Sequence, residues 1–430
     1  MLRKFDRAIA SLYLAASMGL FANLIFGNET EARNDNLFLI SWLVLYVVTI
    51  TRLLTLKPTI YRADALCFYL ALTPIISSLW SVDVGTSLNY SIAFFCNLAF
   101  CMYLRARFTF AELLNITRNT IAIMIGLSLI FSTFGFDTVR YVDIHQRDTM
   151  LGTDPIRGFF NHKITAGFYA ALGAILSLKI ERQALRTTAV AFHIIFVLLT
   201  GSSSALALCA LGLASYGLFF RARKQQIGPS TFIAFVFIIL FSCAAGFALL
   251  SGPILEFLGR DPTLTGRTLL WGVGTKAAEE NLLLGWGYQA YLSSEHSRDL
   301  LRYIPQFANY DVPHFHNSYI QVLVDLGGLT LAILALTTLF TLRKLYGFAK
   351  TSASDTIPAL AVFFTISISA VFVFSIYNHN NFSSILFFSI ILFSSNSLKF
   401  RNHTEETHGT QSLVITRPCP PAAALSIKPL

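Results

Sequence analysis

A chain of 430 residues that is 54% hydrophobic and 13% charged, with mean hydropathy +0.61, is too apolar for an ordinary soluble domain. Its formal net charge of +9 would suit a nucleic-acid surface if the cations were clustered. They are instead spread over short flanks between apolar runs, the pattern of membrane insertion rather than of nucleic-acid binding.

A hydrocarbon core about 30 Å thick is crossed by about 20 apolar residues in a helix. Twelve stretches qualify as predicted spans, near 9–27, 37–56, 64–80, 88–104, 120–136, 164–180, 187–200, 202–220, 230–251, 319–342, 356–377 and 382–399. Connectors rich in Arg and Lys alternate along the chain with connectors nearly free of them. The rich ones carry Arg3/Lys4/Arg7, Arg52/Lys57/Arg62, Arg105/Arg107/Arg118, Lys179/Arg182/Arg186, Arg221/Arg223/Lys224, Arg343/Lys344/Lys350 and the tail from Lys399. On this reading 22 of the 32 basic residues lie on one side, which the positive-inside rule makes the cytoplasm. An even number of spans then puts both termini there. The first span follows basic residues, as a signal peptide does, but is expected to remain as an anchor. Spans seven and eight are short, so Thr200–Gly201–Ser202 must turn tightly, and Ser202–Ser203–Ser204 reads as a polar turn. The expectation is one polytopic all-α membrane domain over 1–400, with N-terminal spans to 136 and a core from 150. Residues 401–430, with Pro418, Pro420 and Pro421, read as a disordered cytoplasmic tail.

Five of the six cysteines fall inside spans and Cys419 lies in the tail, so neither a disulfide framework nor a zinc spacing is present. Inside the spans, ionisable residues are scarce; Asp325 and His193 are the main exceptions. His193 reads as structural. Asp325 reads either as a bond to a neighbouring helix or as the lining of a polar cavity. Such sparseness argues against an ion-coupled carrier, which wants several carboxylates or broken helices near the midplane.

The chemistry concentrates in two long outer loops, 137–163 and 252–318, which hold nine of the ten remaining cations. Loops of that length are usually functional or disordered, and the second is rich in Trp and Tyr. Leu269, Leu270, Val273 and Ala277 at helical spacing predict an amphipathic helix over 265–280 near the membrane surface. Gly285–Trp286–Gly287–Tyr288 predicts a turn with exposed aromatics. Arg267, at the start of that helix, suits a phosphate or diphosphate: its guanidinium binds bidentately and helix N–H groups add to the site. His316 immediately precedes span ten, where an imidazole of ordinary pKa about 6.5 can take a proton from a sugar hydroxyl. His314 and His316 could share a metal, but no third ligand stands at credible spacing. Gly272–Val273–Gly274–Thr275–Lys276 lacks the preceding strand of a dinucleotide-binding turn.

The ordered set Thr265–Gly266–Arg267–Thr268–Leu269–Leu270–Trp271, Leu284–Gly285–Trp286–Gly287–Tyr288 and His316–Asn317–Ser318–Tyr319, leading into Gly327–Gly328, resembles the O-antigen ligase and Wzy-type polymerase superfamily. Arg157–Gly158–Phe159–Phe160–Asn161–His162–Lys163 is similar to its earlier motif, and the set looks most like exopolysaccharide polymerases of the ExoQ type. The resemblance covers roughly residues 150–400. One departure is Ile164 after Lys163, where Asn is expected. The resemblance implies a GT-C-like fold in the bacterial cytoplasmic membrane with one large periplasmic loop. It also implies metal-independent, inverting glycosyl transfer, without a cofactor, from an undecaprenyl-diphosphate-linked donor. The acceptor is another lipid-linked repeat in a polymerase, or lipid A–core in a ligase. Arg267 would hold the donor diphosphate, and His316 would orient or deprotonate the acceptor hydroxyl. Arg157, His162, Lys163, His314 and Asn317 would contact substrate, and Trp286 and Tyr288 would stack on sugars or anchor in the interfacial belt. A chain-length regulator is an expected partner; nucleic acid is not. A lipid-linked-sugar flippase or small-anion carrier remains the alternative of a different class, and a structural membrane scaffold a third.

Overall fold

The computed structural model describes residues 2–25, 35–136, 139–140, 149, 152–238, 266–304, 307, 312–351 and 356–395. The expected tail 401–430, the second half of the ninth span, the loop 252–265 and residues 141–148 of the first outer loop lie outside the described residues.

Within them the regular elements are all helices, apart from one antiparallel bridge between Arg140 and Ile156. In a bilayer every backbone polar group must be satisfied internally, and a helix does this within a single segment. In chain order the helices are α1 (Leu2–Met18), α2 (Leu20–Ile25), α3 (Asn36–Leu56), α4 (Ala65–Ser77) and α5 (Val84–Arg107). Then follow α6 (Phe110–Thr133), α7 (Lys163–Ser177), α8 (Gln183–Leu199), α9 (Ser203–Lys224) and α10 (Pro229–Ile238). The last five are α11 (Arg267–Glu280), α12 (Glu295–Arg302), α13 (Ser318–Thr351), α14 (Thr356–Ser369) and α15 (Phe382–Ser394). Each predicted span thus holds at least one helix. Five of them, α3, α5, α6, α9 and the stretch Ser318–Lys350 of α13, are long and apolar enough to cross a membrane; six others are shorter apolar helices. The tight turn at Thr200–Gly201–Ser202 is present, and Ser202 caps α9 by accepting from the Ala205 N–H. His193 is buried, its Nδ1 against the Ala189 carbonyl at 2.7 Å, in keeping with a structural role.

Side-chain caps set where the helices start. Asp83 accepts from the Thr86 N–H and opens α5, while Thr109 and Glu112 form a reciprocal box that opens α6. At the far end of α5 the arginines anticipated on the cation-rich side find carboxylates. Arg105 pairs with Asp64 at 2.6 Å, Arg52 and Arg107 both bond Asp6, and Arg3 and Arg7 share Glu112. These pairs tie α1, α3, α5, α6 and the turn before α4 into one end of the bundle.

α13 departs from expectation. Its sequence reads as a continuous span, yet the backbone breaks at Gly327, where φ is 78° and ψ 174°. The break is filled by the chain itself. Trp286 N–H donates to the Val324 carbonyl at 2.8 Å, Gly287 N–H to that of Asp325 at 3.0 Å, and Gly328 N–H to that of Leu282 at 2.7 Å. The fit admits no side chain: a Cβ on Gly327 would lie 2.0 Å from the Leu283 carbonyl oxygen. The continuous span expected over 319–342 is therefore corrected to a helix broken at Gly327.

Candidate active site at the start of α13

α11 forms where predicted and buries Leu270, Gly274, Ala277 and Ala278. At Gly274 it approaches α13 so closely that a Cβ would sit 2.6 Å from Ile320 Cγ2. This contact fixes the first turn of α11, and so Arg267, beside the start of α13. Trp271, one turn on, donates its indole N–H to the Phe315 carbonyl at 3.0 Å.

α13 starts after Asn317, whose side-chain oxygen accepts from the N–H groups of Tyr319 and Ile320 at 2.9 and 3.1 Å. Asn317, predicted to touch substrate, is engaged as a helix cap. His316, just before it, holds the left-handed conformation with φ 52°. Its N–H donates to His314 Nδ1 at 3.2 Å, and the two rings stand edge to face at 4.3 Å.

A segment the sequence reading passed over completes the site. α14 ends at Ser369, well short of the predicted span end, and the chain then runs irregularly to Asn381. Arg267 Nη1 donates to the Phe372 carbonyl at 3.0 Å. Ser318 Oγ donates to the Val373 carbonyl at 3.0 Å and accepts from the N–H groups of Ser375 and Ile376 at 2.9 and 3.2 Å. The His314 ring lies 5.6 Å from that of Phe374. Residues 370–376 are thus a strap bound to Arg267 on one side and to the His316 turn on the other. A signal was available: Tyr377–Asn378–His379–Asn380–Asn381 is a polar run inside an apolar region.

The cluster is electrostatically positive. Burial first, then His314, Arg267 and His162, push the His316 imidazole down to about 2. Burial also draws the Arg267 guanidinium below its usual value. His162 joins from the start of α7, which it caps by accepting the Ile164 N–H on Nδ1 at 3.1 Å. Arg157 and Lys163, both half-buried, flank His162 on the same stretch of chain. Arg267, His316, His314 and His162 are therefore brought together.

The aromatic turn is placed otherwise. Tyr288 was expected to be exposed, yet it is 1% exposed; its hydroxyl donates to the Tyr377 carbonyl at 2.7 Å and its N–H to Ser77 Oγ at 3.0 Å. Because residues 282–289 fill the break in α13, the turn points its tyrosine inward and leaves no ring face for a sugar. Trp286 is half-buried, with its indole N–H on the Ala277 carbonyl at 2.8 Å. Among the described residues no group of three or more His, Cys, Asp or Glu side chains is arranged to hold a metal ion.

Fold and site together describe an apolar multi-helix protein with an arginine–histidine cluster at one end of its bundle. Residues 188–335, which include Arg267 and His316, match the family model described as O-Antigen ligase. The chain is also 30% identical over 285 residues to the exopolysaccharide production protein ExoQ of Rhizobium meliloti (strain 1021). That alignment covers 62% of each, so the chain spans less than two thirds of its curated relative. The resemblance read from the motifs is borne out as a resemblance: residues 188–335 match the O-Antigen ligase family model, in a chain similar to an exopolysaccharide production protein.

Proposed function

We propose that this chain polymerises exopolysaccharide repeats, transferring a glycan from undecaprenyl diphosphate to a second lipid-linked repeat at the periplasmic face of the bacterial cytoplasmic membrane. The observation that carries the proposal is the strap, which holds Arg267 and the His316 turn against one another. A diphosphate is already a good leaving group, so fixed positive charge and alignment suffice without a metal. Arg267 grips the diphosphate and stabilises the charge that develops as the bond from the anomeric carbon to phosphate oxygen breaks. The acceptor hydroxyl attacks from the opposite face, inverting that carbon, and passes its proton to His316. His316 is a weak base, first because it is buried and then because His314, Arg267 and His162 face it. An anionic diphosphate beside Arg267 offsets that field and raises its basicity, so the donor switches on the base. Arg157, His162, Lys163 and His314 supply further contacts to phosphate or glycan. Twelve spans, cytoplasmic termini and a periplasmic loop 252–318 belong to this proposal, as does a chain-length regulator as partner.

The relative's printed role in exopolysaccharide production favours the polymerase. The family description favours a second reading, ligation to lipid A–core. The break in α13 gives little support to a carrier, because its freed carbonyls bond the chain's own N–H groups. The deciding experiment incubates the purified protein in lipid with an undecaprenyl-diphosphate-linked repeat and resolves the products on a gel. A ladder supports polymerisation. Product only when lipid A–core is added supports ligation, and no product with either sinks glycosyl transfer.

A further inference from the structure

The buried carboxylate of Asp325 plays no part in the transfer described above, yet it lies at the root of the His316 turn. It is 1% exposed and accepts Gln321 Nε2–H at 3.1 and 3.0 Å and the Gln289 N–H at 2.9 Å. Gln321, one helical turn earlier, turns its other end to the active site, where its Oε1 accepts the Phe315 N–H at 3.1 Å. The Phe315 carbonyl meanwhile takes the Trp271 indole N–H. An unbroken polar chain therefore runs from Gln289 through Asp325, Gln321 and Phe315 to Trp271, on the helix that starts at Arg267.

We propose that Asp325 is a positioning residue: by orienting the Gln321 carboxamide it locks the His314–Phe315 peptide, immediately before the left-handed His316, and holds His316 in register with Arg267. The argument rests on bond direction. The Phe315 N–H can only donate, so Gln321 must present its oxygen there and its amino group toward position 325. That position must then accept twice, from Gln321 and from the Gln289 N–H, and a carboxylate is acceptor-only. A left-handed His316 is a costly conformation for a residue with a side chain, so it persists only while its surroundings enforce it. Reversing Gln321 would set donor against donor at Phe315 and remove one of those restraints.

Direction also supplies the test. Asp325→Asn keeps size but sets an amino group against a donor. Combining it with Gln321→Glu restores every bond: one new carboxylate oxygen accepts the Phe315 N–H, the other accepts the introduced amide N–H, and that amide's oxygen accepts from Gln289. Wild type, D325N, Q321E and the double variant are reconstituted in lipid at matched membrane levels. Two quantities are measured: the rate of product formation from the lipid-linked repeat, and the rate at which diethyl pyrocarbonate modifies His316, followed by mass spectrometry. The product assay rests on the transfer reading, whereas the modification rate is independent of it.

D325N is expected to slow product formation tenfold or more and to change His316 modification at least threefold, with the double variant returning both to within threefold of wild type. If D325N is not recovered from the membrane, Gln321→Met, which removes the same link and leaves the bond from Gln289, is read in its place. Wild-type behaviour of D325N or Q321M, or a double variant no better than D325N alone, overturns the proposal. If modification shifts and is rescued while even wild type forms no product, the positioning role stands and only the transfer reading falls.

Discussion

α5 connects two regions in which buried arginine is treated in opposite ways. At its end, Arg105 is 3% exposed and Asp64 fully buried, and the guanidinium also reaches the carbonyls of Thr59 and Leu392. The start of α5 leads toward the active-site end, where Ser87 Oγ donates to the Tyr288 carbonyl. There, among the described residues, the partner of Arg267 is a carbonyl oxygen rather than a carboxylate. A carboxylate neutralises a cation and leaves it nothing to offer a ligand; a single carbonyl holds the guanidinium in place while keeping its charge and other N–H groups available. The first arrangement builds a bundle. The second presents a charge.

If that contrast is right, the two ends fail differently. The largest effect is expected for Arg105→Ala, which strands the Asp64 carboxylate in the interior at a cost of about 3–5 kcal/mol. Folded protein in the membrane, measured by fluorescence-detected size exclusion, should collapse. Normal levels would show that the pair is not holding the bundle. Arg267→Ala and His316→Ala come next, with folded protein near wild-type level and product formation down about 100-fold or more. Arg267→Lys should recover little of the loss, because an ammonium lacks the bidentate fork. Should R267A lose folded protein to the same extent as R105A, the arginines would be equivalent and the contrast would dissolve. A smaller effect is expected at Tyr288. Removing its hydroxyl in Tyr288→Phe costs about 1 kcal/mol of stability through the lost bond to Tyr377 and leaves product formation within about twofold. A large fall in KM-dependent activity without loss of stability would restore a sugar-binding role.

Much of this was legible because hydropathy and charge are additive along a chain. Twelve apolar stretches each contain helix, and five of the arginines assigned to one side by their connectors converge, as the pairs on Asp6, Asp64 and Glu112 show. The helix expected over 265–280 appeared, over Arg267–Glu280, because apolar spacing is a local signal. What could not be read was anything set by a distant segment. Gly327 breaks α13 only because residues 282–289 arrive to take its free carbonyls, and nothing within α13 announces them. Tyr288 looks like an interfacial aromatic until the same insertion turns it inward. The strap is apolar in sequence, so hydropathy extended a helix through residues whose backbone groups instead bond Arg267 and Ser318.

The smallest predicted effect concerns pH, and it tests whether the active-site end holds His316 as a buried, neutral imidazole. His316 sits at about 2 in the folded protein against an ordinary 6.5. Between those values the unfolded chain binds a proton that the folded chain refuses, so stability declines as pH falls below about 6.5 and is insensitive to this group above it. Thermal unfolding of wild type and His316→Gln should therefore differ in pH dependence by about two degrees between pH 7 and 5, the shift that the roughly 2 kcal/mol of this linkage produces at about 1 °C per kcal/mol in a chain of this size, with the variant declining less. The same measurement with inorganic diphosphate sharpens the contrast between the two ends. An anion held at Arg267 should raise the His316 pKa and lessen the wild-type decline, whereas Arg267→Ala alone should change it little, because burial is the main cause of the low value. A wild-type curve parallel to that of His316→Gln, with or without diphosphate, would mean that the imidazole titrates normally. The imidazole would then not be the suppressed base on which the donor's control depends.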